Sequence, residues 1–136
     1  SAELDLLAGR GGEQTLDHLH PTAGPDTWLR LRRQVDDVYL HPVVATYALD
    51  LVDSIRAHTG AAQPLSTRAA LTLVRLARSH AAIDGRAYVA PDDVQSVAVA
   101  TLSHRLIDVT NDDLTAARAW VAQTVGLVPV PPRLEP

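Results

Sequence analysis

The segment Pro64-Leu-Ser-Thr-Arg-Ala-Ala-Leu71 holds the residues best placed to do chemistry. It has the pattern of a helix start, with Ser66 as cap and Arg68 in the first turn. The first N–H groups of a helix lack intrahelical acceptors, and the dipole is positive there. A guanidinium is a costly neighbour at that end unless an anion joins it, so the pattern predicts an anion-binding corner, with phosphate the obvious candidate. Helix logic alone favours a plain solvated arginine, because exposed arginines are common and Arg75 lies two turns along the same side. Ser66 itself reads as a helix cap and nothing more.

Other chemistry-bearing residues are weaker candidates. His18 and His20 form a His-x-His pair, but no third ligand lies near and the surroundings are polar, so no metal site is expected. Asp92-Asp93 resembles a paired carboxylate, yet it follows Pro91 at a helix start, where acids complement the dipole. His104-Arg105 ends a helix, where cations are favoured; contact with a neighbouring subunit is the alternative. Arg86 follows Gly85 and is expected to pair with a nearby carboxylate. Arg30, Arg32 and Arg33, with Trp28 beside them, form the one basic cluster. Asp36 and Asp37 follow directly, which argues against a nucleic-acid surface. No Ser–His–Asp set or other nucleophilic arrangement is recognisable.

Composition excludes several classes. The chain has 136 residues, enough for one compact domain with a modest core. All 12 of its basic side chains are arginines, so the Gly-Lys-Ser/Thr of a Walker A phosphate loop is missing. The formal net charge of −4 disfavours broad attraction to nucleic acid or an anionic membrane. The absence of cysteine excludes disulfides and thiolate metal sites. No apolar run reaches membrane-spanning length and no signal sequence opens the chain, so a soluble cytoplasmic domain is expected. With no Phe and no Met, the core must be built from Leu, Val and Ala, which suits close helix packing.

The elements that must position Arg68 follow from apolar periodicity. Residues 1–8 read as the end of a helix stopped by Gly9, Gly11 and Gly12, and residues 13–24 as an exposed connector. Asp26 or Thr27 is expected to cap a short helix through Trp28, Leu29, Leu31 and Val35. A longer helix starts near Pro42 and ends at Gly60, with Val44, Tyr47, Ala48, Leu51 and Ile55 as its inner stripe. The helix capped by Ser66 ends at Gly85, with Ala69, Ala70, Leu73, Leu76 and Ala77 facing inward. A fourth starts at Ala90-Pro91 and buries Val94, Val97, Ala98 and Leu102. Asn111 or Asp112 is expected to cap a fifth through Leu114, Ala117, Trp120, Val121 and Val125. Residues 38–40 and 88–89 read as extended pieces able to pair in a two-stranded ribbon. The expected fold is all-α, a small helical bundle with that very short β ribbon. A connector over 1–24, a bundle over 25–110, and a last helix with a Pro-rich tail over 111–136 complete the division.

The order of these pieces resembles a known family. Tyr47, Leu51-Val52 and Arg56, then Ser66-Thr-Arg68-Ala69, then Asp84-Gly-Arg86-Ala-Tyr-Val89-Ala-Pro-Asp92-Asp93-Val94, then His104-Arg105-Leu106, are similar to the C-terminal lid of MoxR-type AAA+ ATPases. The resemblance spans roughly residues 25–107. Family members commonly read Gly-Ala-Ser-Pro-Arg where this chain has Gln63-Pro-Leu-Ser-Thr-Arg68, so the loop is altered while the Ser and Arg positions are kept. Glu3, Leu6 and Leu7 also resemble the segment that leaves the family's ATPase core.

The resemblance implies that Arg68 is the sensor-2 arginine, the catalytic and nucleotide-binding contact that reaches the ATP γ-phosphate. It implies Walker motifs upstream, ATP and Mg bound by the full-length parent, and no activity in the lid alone. It also implies a chaperone-like ring with neighbouring subunits and von Willebrand factor A-domain partners. The Gly9–Gly24 connector would then be the hinge on which the lid tilts between nucleotide states. The competing expectation is a helical protein-interaction module with no nucleotide role.

Overall fold

The computed structural model describes residues 4, 19–59, 65–106, 110 and 113–132. The chain divides into two units, Ser1–Leu31 and Arg32–Pro136. The described secondary structure is helical: α1 (Pro25–Asp36), α2 (Pro42–Thr59), α3 (Thr67–Ile83), α4 (Pro91–Leu102) and α5 (Leu114–Leu127), with a 3-10 turn at Ser103–Arg105. The all-α expectation is borne out. No helix among the described residues is long and apolar enough to cross a membrane.

Apolar spacing explains how α2 to α5 assemble. On α2 the stripe Val44, Tyr47, Ala48, Leu51 and Ile55 is buried as expected, and Val52 joins it. On α3 the buried row is Ala69, Leu73, Ala77 and Ala81, one residue every four. A row with that spacing drifts around a 3.6-residue helix, which carries the seam away from Leu76. Leu76 was expected inside and is instead 41% exposed. The alanines let α3 and α4 approach closely, and these two share the most extensive helix contact. Val94, Ala98 and Leu102 of α4 are buried and Val97 partly so. Helix α5 closes the bundle against α2 and α4 through Ala117 and Val121.

The helix starts differ in detail from expectation. Helix α1 begins at Pro25, and the Gly24 carbonyl accepts from the Thr27 and Trp28 amides at 3.1 and 3.3 Å, so Gly24 holds the cap place expected of Asp26 or Thr27. At α2, His41 is the cap: its carbonyl accepts from Val44 and Ala45, and its Nδ1 accepts from the Val43 N–H at 3.2 Å. At α5 the cap is Asp113, whose carboxylate accepts from the amides of Thr115 and Ala116 at 2.8 and 3.2 Å. Asn111 and Asp112, the expected caps, lie outside the described residues, as do Gly60 and residues 5–18.

The expected ribbon shrinks to one parallel bridge between Tyr39 and Tyr88. The Tyr39 N–H donates to the Ala87 carbonyl at 2.8 Å, and the Val89 N–H donates to the Tyr39 carbonyl at 2.9 Å. Pro42 and Pro91 start helices two to three residues later, so the ladder has no room to grow. Gly85, at φ +73°, makes the turn that leads out of α3 toward this bridge.

Candidate functional site: the start of α3

Leu65 and Ser66 lead the chain into α3. The Leu65 side chain is buried in the core, and its carbonyl accepts from Arg56 Nε at 2.5 Å. Ser66 occupies the N-cap place with extended backbone (φ −70°, ψ 162°), but its hydroxyl makes no cap hydrogen bond. The first turn of α3 carries no acidic side chain. Arg68, second in the helix, is exposed, and among the described residues no carboxylate pairs with it. Its carbonyl accepts from the Thr72 hydroxyl at 2.8 Å, a contact that leaves the guanidinium uninvolved. An exposed guanidinium in the first turn of a helix, with no carboxylate partner among the described residues, suits an oxyanion such as phosphate. Arg75 is exposed on the same face, as expected.

A second polar centre lies near the other end of α3. Residues 68 and 80 are about 18 Å apart along the helix axis at 1.5 Å per residue. There Asp93 of α4 is 1% exposed and accepts from both terminal nitrogens of Arg86, each at 2.6 Å. It also accepts from the Ala90 N–H at 2.7 Å, and its Oδ1 lies 2.7 Å from His80 Nδ1. Asp84 takes a further Arg86 contact at 3.0 Å. Burial pushes the Asp93 carboxyl up, but the Arg86 guanidinium, the Ala90 amide and His80 outweigh it and hold it below its ordinary value of 3.8. Arg86 is raised in turn, chiefly by its hydrogen bond to Asp93.

The His80, Asp84 and Asp93 ligand atoms lie within 4.8 Å of one another, a spacing that would suit a cation. Arg86 already supplies that positive charge and engages both Asp93 oxygens, so the cluster is a structural ion network. The expected carboxylate partner of Arg86 is therefore present, while His80 and Asp84 were not anticipated. Their one signal in the sequence is the i,i+4 spacing of 80 and 84 just before Arg86. Asp92 stays exposed, so the helix-start reading of the acid pair holds for it, and Asp93 adds a tertiary role.

The remaining candidates stand apart from both centres. His20 is exposed and His18 lies outside the described residues. His104 is exposed and Arg105 half-buried, both in the 3-10 turn after α4. Arg30, Arg32 and Arg33 are exposed on α1, none of whose residues is buried. Tyr47 is buried, which raises its phenol, and it accepts a hydrogen bond from Gln95 Nε2 at 3.0 Å.

Comparison with known proteins places this arrangement. A family model described as an AAA lid domain matches residues 53–123, more than half of the chain, with Arg68 and the Arg86–Asp93 network inside it. The chain is also similar to the uncharacterized protein YeaC of Bacillus subtilis (strain 168), with 30% identity over 105 residues. That alignment covers 77% of this chain and 33% of YeaC, so the chain spans about a third of its relative's length. No solved structure matches. With its helical bundle and a family match running from α2 to α5, the chain belongs to the AAA lid domain family.

Proposed function

We propose that this chain is the C-terminal lid of a MoxR-like, chaperone-type AAA+ ATPase, and that Arg68 is its sensor-2 residue. The observation that carries the reading is the exposed Arg68 in the first turn of α3, a helix start with no side-chain cap, inside the AAA lid match. In this reading the upstream core binds ATP and Mg through its own Walker motifs. The lid adds the Arg68 guanidinium, which bonds the γ-phosphate while it is attached and loses that partner when it leaves. A contact made in one nucleotide state and absent in the other is what tilts a lid, because only differential affinity shifts an equilibrium. Residues 1–24 serve as exit segment and hinge, 25–110 as the lid, and 111–136 as an appended helix and tail.

The assembled protein is proposed to be a cytoplasmic ring, in which the lid meets its own core and neighbouring subunits and works with a von Willebrand factor A-domain partner. The lid alone has no turnover. Nucleotide affinity of the full-length protein tests the Arg68 role: Arg68→Ala should weaken a non-hydrolysable ATP analogue about tenfold and ADP by less than about twofold, the size of a lost charge-assisted contact. Equal weakening of both nucleotides would contradict a γ-phosphate contact.

A further inference from the structure

The start of α3 is held from a distance. Arg56, on the last turns of α2, donates from Nε to the Leu65 carbonyl at 2.5 Å, and its NH1 pairs with Asp53 Oδ1 at 2.5 Å. Leu65 immediately precedes the cap residue Ser66, whose side chain makes no cap hydrogen bond of its own. The other end of the same residue is fixed as well, since the Leu65 side chain is 4% exposed in the core. The path of the chain into α3 is thus set by a buried apolar anchor and a charge-assisted hydrogen bond. Arg68 lies three residues beyond that anchor, within the first helical turn.

We infer that Arg56, oriented by Asp53, is a positioning residue for Arg68: by clamping the Leu65 carbonyl it fixes where α3 begins and so where the Arg68 guanidinium stands against a phosphate. The inference rests on the sensor-2 reading above and adds to it a residue that never touches nucleotide. Only a planar fork can donate to a carbonyl through Nε while a terminal nitrogen holds a carboxylate, so lysine is a poor substitute. A misplacement of about 1 Å at a phosphate contact is enough to cost turnover, which gives a remote clamp leverage over rate.

The test uses the full-length protein carrying Arg56→Ala, Arg56→Lys, Arg68→Ala, or Arg56→Ala with Arg68→Ala. Hydrogen exchange at the amides of residues 69–71 reads the helix start, where the Ala69 N–H donates to the Ser66 carbonyl at 2.8 Å. ATP turnover reads the consequence. In Arg56→Ala, exchange at 69–71 should rise about tenfold with α4 unchanged, and kcat should fall about fivefold with KM for ATP within about twofold. Arg56→Lys should not restore either value. Added to Arg68→Ala, the Arg56 change should cost no further turnover, because both act through one contact.

Unchanged exchange in Arg56→Ala overturns this inference alone. So does a loss of kcat that adds in full to that of Arg68→Ala, which would put the Arg56 effect elsewhere. An unchanged rate in Arg68→Ala overturns the sensor-2 reading and this inference with it.

Discussion

Asp93 receives both terminal nitrogens of Arg86, one on each carboxylate oxygen and each at 2.6 Å. This pairing joins the turn after α3 to the first turn of α4. A guanidinium fork on a buried carboxylate is strong because both lone-pair sets are met at once. The same carboxylate also accepts from the Ala90 N–H, so one side chain serves both a helix start and a tertiary contact.

Asp93→Asn should therefore destabilise the folded chain by about 2–3 kcal/mol, since it removes the buried carboxylate that takes both Arg86 nitrogens and leaves only the exposed Asp84 as its charged partner. Acid unfolding gives the sign independently. The native Asp93 carboxyl sits below its ordinary value of 3.8, so the folded state binds fewer protons there than the unfolded state. Its stabilisation is complete above that ordinary value and is lost as pH falls below it toward the native one. Chemical denaturation as a function of pH should show a shallower loss below about pH 4 in Asp93→Asn than in the parent.

The two helix caps should respond to different degrees. Asp113 accepts from two amides at the start of α5, so Asp113→Ala should cost about 1 kcal/mol. Ser66→Ala should change stability by less than about 0.5 kcal/mol, because the Ser66 hydroxyl makes no cap bond. Thermal melts of the two variants, side by side, check the contrast.

The tail beyond α5 packs on the bundle for at least part of its length. Val128 is 7% exposed within the core cluster, and Pro129, Val130 and Pro131 line an open groove with Val43, Thr46, Tyr47 and Asp50 of α2. Truncation after Leu127 should lower stability by about 1–2 kcal/mol, the value of burying one valine and some proline surface. A melting temperature unchanged by the truncation would instead mark the tail as an arm with no structural part.

How much of this was legible in the sequence varies by feature. The α2 stripe and the α4 face were readable because each is a row of aliphatic residues at helical spacing, and burial followed the period. Leu76 was misplaced because alanines, which the eye discounts, define the α3 seam through Ala69, Ala77 and Ala81. The cap at His41 was not anticipated, since an imidazole rarely takes that place, and Asp113 competed with two neighbouring side chains equally fit to cap. The tie between residues 80 and 93 depends on how α3 and α4 are packed, which no local pattern encodes. The exposed place of Arg68 in the first turn of α3 was legible from residue type and spacing, whereas the Arg56 contact just before that turn runs through a backbone carbonyl, which carries no side-chain signature.

In the proposed function Arg68 works on the phosphate that leaves. ATP hydrolysis by the full-length protein, measured for the parent and Arg68→Ala at saturating nucleotide, tests it most directly. Arg68→Ala should lower kcat by about 10- to 100-fold, with ADP affinity retained and the lid still folded. Equal hydrolysis rates in the two proteins would contradict it, and would leave the chain as a helical scaffold whose start of α3 has no part in turnover.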